Sequence, residues 1–244
     1  MMWTIAKREL RMYFGQLTAY LVVGGYLLLT TLGLWFFDTP FNLMNSELGS
    51  FIPFFELSPL LFLFLLPALG MRSFSEEFSL GTFELLMTKP IKLYELFAGK
   101  LLCIFLIFTS ALLPTLLHAY FLEQLLQAND HLDWGVILSS YGALLLLGLL
   151  FSVSSMCASL LFQSQVAAFL AGLFLCFSQF YMWSYLAEGI NDLFWYQWIN
   201  NLGASLHYYG LSRGVLSFDD LAYFIGFIAF FFHIGITLIQ KKRQ

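Results

Sequence analysis

Acidic pairs and histidines are the side chains of this sequence that could perform acid–base or metal-dependent chemistry. Glu76 and Glu77 are adjacent, and the histidines are His118, His131, His207 and His233. No two histidines are three or four residues apart, the spacing that places two metal ligands on one face of a helix. The sequence therefore predicts no metal site and leaves the carboxylate pair to be explained.

The carboxylate pair could belong to an intramembrane protease of the CAAX type, which uses a Glu-Glu-x-x-x-Arg sequence together with histidines. Here Gly81 stands where the arginine would be, and neither His118 nor His233 has a phenylalanine four residues before it. Gly99 and Lys100 resemble the end of a nucleotide-binding loop, but the glycine five residues earlier is missing. We therefore predict no catalytic residue and keep the CAAX-type enzyme as an alternative.

The composition places these residues in a membrane protein. Hydrophobic residues make up 60% of the 244 residues and charged residues only 11%, too few charges to cover a water-soluble surface of this size. Cys103, Cys157 and Cys176 lie in apolar runs and are odd in number. We expect them to be buried or lipid-facing thiols rather than a disulfide framework or a metal site.

Six apolar stretches can each form a helix that crosses a bilayer, which takes roughly 20 residues. They cover residues 17–37, 57–71, 101–122, 136–161, 166–186 and 221–239. Residues 51–55 are expected to extend the second stretch, with kinks at Pro53, Pro59 or Pro67. The first stretch shows no small-x-small cleavage pattern and is expected to stay as an anchor. The predicted fold class is an all-α integral membrane protein, with one domain over residues 1–244.

The basic residues predict how these spans are oriented. Ten of the eleven lysines and arginines lie before the first span, between the second and third spans, or after the sixth. Arg213 alone lies on the opposite side, where acidic residues collect. Because loops rich in lysine and arginine stay in the cytoplasm, both termini and residues 72–100 are predicted to be cytoplasmic.

Residues 1–16 predict an amphipathic helix before span one. The apolar side would carry Trp3, Ala6, Leu10, Tyr13 and Phe14, and the polar side Lys7, Arg8 and Arg11. Such a helix lies in the headgroup region, where Trp3 and the three cations would contact lipid. The alternative is an ordinary positively charged flank.

Residues 72–100 interrupt the apolar pattern with a charged segment that can form a helix. Glu76 and Glu77 are typical of a first helical turn, which Ser73 or Ser75 could cap. A second interfacial piece over residues 91–100 is expected before span three. It would turn Leu93, Leu96 and Phe97 toward lipid, and Lys92, Glu95 and Lys100 toward water.

The order of residues in this segment resembles a motif of the permease subunits of ABC-2-type ABC transporters. The residues that carry the resemblance are Glu76, Glu77, Gly81, Thr82, Glu84, Leu85, Leu86 and Pro90. The six spans, the N-terminal helix and the charged break also fit, so the resemblance covers nearly the whole chain. Within the family, the chain looks most similar to permeases associated with gliding motility and with maturation of the copper site of nitrous oxide reductase.

The resemblance implies that residues 72–100 contain a coupling helix that docks on a separate cytoplasmic ATPase. Polar contacts would come from Glu76, Glu77 and Glu84, packing from Phe78 and Leu85, and close approach from Gly81 and Thr82, with Leu86 and Pro90 completing the set. ATP and Mg would bind to the ATPase dimer, and no cofactor or nucleic acid is expected on this chain. A second permease subunit, identical or paralogous, would complete the transporter in a bacterial inner membrane, for export or mechanical transmission. The alternative is a solvated loop without a partner.

An ATP-independent secondary transporter is the other alternative function, but ion-coupled carriers need ionisable groups near the membrane centre. His233 is the exception, and we expect it to be a packing residue bonded to a neighbouring helix. Gln179 could face a substrate path or a helix partner, with packing as the default. The serines of span four are expected to allow close helix packing, and they are Ser152, Ser154, Ser155 and Ser159.

Residues 187–220 form the largest external segment. Trp195 and Trp198 stand there among asparagines, which predicts short helices in the outer headgroup region. In ABC-2 relatives, helices at this position shape the exit side of the pathway. The alternative is an aromatic belt that only anchors the loop.

Overall fold

The structure is a computed structural model that describes residues 1–44, 50–88, 91–126, 131–215 and 217–243. Within these ranges the chain consists of helices joined by short turns, and no β-strand occurs. The helices are α1 (Met2–Gly15), α2 (Leu17–Trp35), α3 (Ile52–Gly70), α4 (Arg72–Ser79), α5 (Phe83–Met87), α6 (Leu93–Leu112), α7 (Leu116–Leu125), α8 (Trp134–Leu161), α9 (Gln165–Phe177), α10 (Trp183–Glu188), α11 (Leu193–Asn200), α12 (Ala204–Ser212) and α13 (Phe218–Arg243). A 3-10 turn (Leu113–Thr115) joins α6 to α7, and a π-helical turn (Ser178–Met182) joins α9 to α10.

Six helical units of the described chain are long and apolar enough to cross a membrane. They are Leu17–Trp35, Ile52–Ser79, Leu93–Leu125, Trp134–Leu161, Gln165–Glu188 and Phe218–Arg243. The predicted all-α membrane fold with six spans is therefore confirmed. Span two begins at Ile52, as the extension through residues 51–55 predicted, and Pro59 and Pro67 lie within its helix.

The second and third spans extend beyond the predicted apolar stretches. Helix α3 continues through Met71 into α4, and α6 already begins at Leu93. Residues 91–100 are therefore mostly the first turns of span three, and the separate interfacial piece was wrongly predicted. Leu96 and Phe97 are buried against protein rather than lipid, and Lys100 is only 2% exposed. The polarity pattern misled because the acidic partners of Lys100 are distant in the sequence.

Helix α8 forms the centre of the fold and packs against α3, α9, α12 and α13. All four serines of span four are buried, which confirms their predicted role in close helix packing. At Gly70 of α3, an added Cβ would lie only 2.6 Å from the Cβ of Ser155. Gln179 donates a hydrogen bond of 2.8 Å to Ser154 Oγ, so its side chain bonds a neighbouring helix.

The cysteines of the spans are buried, whereas the histidine of span six is exposed. All three cysteines are buried free thiols, as predicted. His233 is exposed on α13 and makes no hydrogen bond to a described residue, so the predicted bond to a neighbouring helix is wrong. The buried side of α13 carries Gly235 and Ile239. Position 233 is about 200° around the helix from position 235, which turns the imidazole outward.

The N-terminal helix, the charged segment and the C-terminus meet at one end of the bundle. Arg8 Nη2 lies 3.8 Å from Glu77 Oε1, and Lys242 Nζ lies 3.8 Å from the ring centre of Phe78. At the other end, near Arg213, Ser140 of α8 donates a hydrogen bond to the carbonyl of Ser212 in the last turn of α12. The described basic residues are thus sorted between the two ends as predicted, and Lys89 lies outside the described residues. The cytoplasmic assignment of either end stays a prediction.

Short helices occur between spans five and six, as predicted for residues 187–220, whose external location stays a prediction. Helix α11 exposes Trp195 at 57% and Trp198 at 62%. Asp192 starts this helix, because its carboxylate accepts the N–H of Phe194 at 2.9 Å. Contact of the two tryptophans with lipid headgroups stays a prediction.

Candidate functional site

The charged segment begins as a continuation of span two. Because α4 follows α3 directly, residues 72–79 have no free helix start, and the predicted cap by Ser73 or Ser75 is wrong. The N–H of Ser75 donates instead to Ser159 Oγ of α8 at 3.0 Å. Glu76 and Glu77 consequently lie in the second half of α4 rather than in a first turn.

Gly81 ends α4 in the left-handed conformation, with φ of 67°. Its N–H donates to the carbonyl of Phe78 at 3.2 Å, and the N–H of Thr82 donates to the carbonyl of Glu77 at 3.0 Å. This pair of bonds is a Schellman ending, which favours glycine because a positive φ strains residues that have a Cβ. Gly81, which was predicted to permit close approach of a partner, is therefore first of all a helix stop, with α5 directly after it.

Four charged residues, Arg8, Glu9, Glu77 and Lys100, join α1, α4 and α6, and we call them the charge cluster. Lys100 Nζ lies 2.7 Å from Glu77 Oε1 and 3.4 Å from Glu9 Oε1. It also donates to the carbonyl of Ser73 at 2.7 Å. Arg8 Nη2 lies 2.5 Å from Glu9 Oε1. Since Lys100 and Glu9 are both buried, each charge depends on the other for compensation.

The charge cluster determines which side of α1 faces the protein. Glu9 and Tyr13 are buried, whereas Trp3 is 61% exposed and Phe14 is 38% exposed. The predicted apolar side of α1 is thus divided between the protein and the surface, because Glu9 must face Lys100. The exposed residues of the predicted lipid-contact set are Trp3, Lys7, Arg8 and Arg11.

Tyr13 and Ile5 attach α1 to spans two and three. The hydroxyl of Tyr13 donates to the carbonyl of Leu69 at 2.8 Å. Burial raises the pKa of Tyr13 far above its usual range, so the hydroxyl keeps the proton that this bond needs. At Gly99, an added Cβ would lie 2.9 Å from the Cβ of Ile5, so α1 lies directly on α6.

A second ion pair lies beside the charge cluster. Arg72 Nε lies 3.2 Å from Glu76 Oε2 one helical turn later, and Arg72 also donates to the hydroxyl of Thr18. Thr18 belongs to α2, so this pair links the charged segment to span one. Spans one, two and three therefore all contact the same segment.

Beyond Gly81 the segment presents an exposed surface of mixed polarity, which we call the α5 face and which consists of Leu80, Thr82, Glu84 and Leu85. Leu80 is 68% exposed and Leu85 is 67% exposed. Glu84 stands between them in the sequence and is also exposed. The α5 face borders a cleft of about 360 Å³ that reaches the charge cluster.

Comparison with known families identifies the type of protein that carries this segment. Residues 60–211, more than half of the chain, match the sequence profile of the ABC-2 family transporter proteins. The chain belongs to this family. It is a multi-pass membrane permease of an ABC transporter, and permeases of this family work with an ABC ATPase. No curated protein matches the chain.

The residues predicted to couple this ABC-2 permease to an ATPase lie in different environments. The exposed ones are Gly81, Thr82, Glu84 and Leu85, the half-buried ones are Glu76, Glu77 and Phe78, and Leu86 is buried. Pro90 lies outside the described residues. Within the described ranges, no group of three or more His, Cys, Asp or Glu side chains is placed to hold a metal ion.

Glu9 and Lys100 are the site residues that sequence reasoning missed in the ABC-2 permease. Lys100 shares the buried side of α6 with Leu96 and Cys103, at spacings of four and three residues. That spacing was readable from the sequence, but only if the helix began before position 100. Glu9 gave a weaker signal, as the one acidic residue of α1.

Replacing Gly81 with alanine is expected to loosen α5 of this permease without unfolding the spans. A positive φ costs an alanine about 1 kcal/mol, which corresponds to roughly fivefold more of the locally open state. Amide hydrogen exchange over residues 82–88 should therefore become about fivefold faster. Gly24→Ala in α2 is the matched control, since an added Cβ there has no atom within 4 Å. Equal exchange rates in Gly81→Ala and wild type would contradict this role for Gly81.

Proposed function

We propose that this ABC-2 permease couples a separate cytoplasmic ATPase to a translocation pathway through residues 72–100. The ATPase would bind ATP and Mg as a dimer, and both termini of the permease would face the cytoplasm of a bacterial inner membrane. The observation that carries the proposal is the α5 face, which exposes Leu80 and Leu85 beside Glu84. It lies at the end of the bundle where the basic residues gather.

The composition of the α5 face supports a protein partner. Leu80 and Leu85 are each about two-thirds exposed, and apolar area of this kind gains free energy when a partner removes it from water. Glu84 adds a charge that can orient the partner. The α5 face therefore favours a protein partner that offers an apolar pocket for the leucines and a basic side chain for Glu84.

The charge cluster supports transmission of movement from the α5 face to the spans. Helix α4 continues span two and carries Glu77. Lys100 belongs to span three, and its ammonium group forms an ion pair with Glu77. A displacement of α5 would therefore move the ends of two spans together with α1, because packed elements shift as units rather than bend continuously. These connections favour a coupling role over a solvated loop without a partner.

The exposed spans support a second permease subunit, as a copy or a paralogue of this chain. Within the apolar stretch of each span, only 28% of the residues of spans one and five and 17% of those of span six are buried inside the protein. In span four the buried fraction is 78%. We propose that the second subunit covers part of these three spans. The pathway between the subunits would serve export or transmit a mechanical change.

Replacing Leu85 with glutamate tests the coupling proposal. The change should weaken ATPase binding at least about tenfold, because an apolar contact is lost and a charge is desolvated in its place. The tagged permease would be purified in mild detergent from its own cells, and the copurified ABC ATPase quantified together with its ATP hydrolysis. Phe162→Glu is the matched control, because it also places a glutamate at an exposed apolar position, where Phe162 is 40% exposed. Phe162 lies at the same end of the bundle but outside the α5 face, since Ser159, three residues earlier, is bonded to α4.

The proposal fails if Leu85→Glu keeps full ATPase binding and the melting temperature of the wild type. It also fails if Phe162→Glu weakens binding to the same extent, because the effect would then be independent of the α5 face. Ion-driven flux in liposomes that contain only this permease would favour the secondary transporter instead.

A further inference from the structure

A cleft of about 450 Å³ lies at the external end of span five, between that span and α12. The span-five side carries Tyr181, Tyr185 and Glu188, and the α12 side carries Ser205, Tyr209 and Arg213. Within each set the residues are three or four positions apart, so each set lies on one face of its helix. We call this site the tyrosine cleft.

The two sides of the tyrosine cleft run in opposite directions. Ser184 Oγ and Ser205 Oγ are 2.8 Å apart, and the ring centres of Phe180 and Tyr209 are 6.2 Å apart. Residues later in α12 thus lie beside residues earlier in span five. One end of the cleft is therefore formed by the last residue of span five, and the other by the end of α12.

This arrangement separates the two charges along the cleft. Glu188 ends span five and lies at one end of the cleft. Arg213 lies at the other end, where its neighbour Ser212 accepts a 2.6 Å hydrogen bond from Ser140 of α8. Both charged side chains are exposed and can reach a ligand in the cleft.

The polar groups of the tyrosine cleft have unused bonding capacity. Arg213 and Glu188 form no ion pair within the described ranges, and the hydroxyls of Tyr181, Tyr185 and Tyr209 form no hydrogen bond there. Burial raises the pKa of Tyr209 to about 12, so its hydroxyl stays protonated and can donate. The cleft thus offers an exposed acid at one end, and an exposed cation with nearby donors at the other.

We infer that the tyrosine cleft binds the headgroup of a zwitterionic phospholipid, a phosphate ester that carries an ammonium group. Such a headgroup carries an anionic and a cationic group a few bonds apart, and the cleft carries Arg213 and Glu188 at its two ends. Arginine forms charge-assisted hydrogen bonds with phosphate. Tyrosine rings and a carboxylate attract an ammonium group. This binding does not depend on ATPase coupling.

The surroundings of the cleft fit a binding site at the depth of the headgroups. The exposed tryptophans of α11 are typical of that depth. Helix α12 is fixed to span six, because His207 Nδ1 lies 2.6 Å from Asp220 Oδ1. It is also tied to the end of α11, because His207 Nε2 lies 3.0 Å from the carbonyl of Asn201. The wall that carries Tyr209 and Arg213 is therefore held in place before a ligand arrives, which lowers the ordering entropy lost on binding.

Native mass spectrometry of the full chain in detergent tests this inference with two added lipids, phosphatidylethanolamine and phosphatidylglycerol, of which only the first carries an ammonium. The wild type should bind phosphatidylethanolamine about tenfold more tightly. Arg213→Gln should weaken binding of both lipids about tenfold, whereas Glu188→Gln should remove only the preference for phosphatidylethanolamine. Asp219→Asn is the matched control, as an exposed acid at the same end outside the cleft, and should change neither affinity.

Equal affinities for the two lipids in the wild type would overturn the inference, and so would a preference that survives Glu188→Gln. Free phosphorylethanolamine, added at the same concentration as the lipid, should displace little of it. If the free compound displaces the lipid completely, the ligand is a soluble phosphate ester and the lipid assignment fails. A dimer that loses its partner in Arg213→Gln and binds neither lipid would instead assign the cleft to a subunit interface.

Discussion

Replacing Lys100 with methionine is expected to destabilise the permease by about 3–5 kcal/mol, toward the lower end of that range. The change keeps the chain length and apolar packing, but removes the cation that lies 2.7 Å from Glu77 and 3.4 Å from Glu9. Arg8 remains 2.5 Å from Glu9 and partly compensates the two carboxylates. Thermal unfolding in detergent, followed by tryptophan fluorescence, should shift downward by roughly 10 °C.

Two further variants separate the charge of Lys100 from its packing. Lys92→Met removes an exposed lysine two turns earlier and should leave the melting temperature nearly unchanged. The triple variant Glu9→Gln, Glu77→Gln, Lys100→Met keeps the shapes of the side chains without their charges. It should recover most of the loss, because a buried charge is destabilising mainly when its partner is removed alone. A triple variant as unstable as Lys100→Met would reject this account.

The six spans could be predicted because the length and apolarity of each are contained in one stretch of sequence. The charge cluster could not be predicted in the same way. Glu77 lies 23 residues from Lys100, and Glu9 lies 91 residues from it. Which charges meet depends on how α1 and α4 pack against α6, and no local pattern encodes that packing.

The end of span two shows how local signals can still be decisive. The change from apolar to charged residues after Gly70 suggested a new helix, but no proline or positive-φ residue interrupts the backbone until Gly81. The helix therefore continues to Ser79, and Glu76 and Glu77 belong to its end. A glycine as helix stop is a signal that the sequence does contain.

The N-terminal helix shows a different limit. Its periodicity correctly places Ala6 and Tyr13 on one side, but does not tell whether that side faces lipid or protein. Both are buried in the fold, while Trp3 is exposed. The buried carboxylate of Glu9 makes the difference, since it directs α1 toward Lys100 in span three.

Gly70→Ala is expected to destabilise the permease through steric overlap. An added Cβ would lie 2.6 Å from the Cβ of Ser155 and 3.1 Å from its backbone carbonyl carbon. Rotation of the serine side chain moves its hydroxyl but leaves both of these atoms in place, so α3 and α8 would have to separate. Overpacking of this kind costs about 1–3 kcal/mol, and the backbone contact places this variant at the upper end.

The separation of α3 and α8 should also reach the coupling segment. Ser159 Oγ, one turn beyond Ser155, accepts hydrogen bonds from the N–H groups of Phe74 at 2.9 Å and Ser75 at 3.0 Å. Gly70→Ala should therefore lower the melting temperature and speed amide exchange in α4 together. Gly142→Ala on α8 should do neither, because an added Cβ there has no atom within 4 Å.

A second-site change tests whether the packing of α3 against α8 also fixes the position of α4. Ser155→Gly removes the Cβ that opposes the new methyl group and should restore most of both measurements in the Gly70→Ala background, because only the 3.1 Å contact with the backbone carbon then remains. If the melting temperature recovers while exchange in α4 stays fast, the bonds from Ser159 do not follow the α3–α8 separation. Movement of span two would then reach the α5 face through the continuous helix into α4 and through the charge cluster, without the bonds from Ser159.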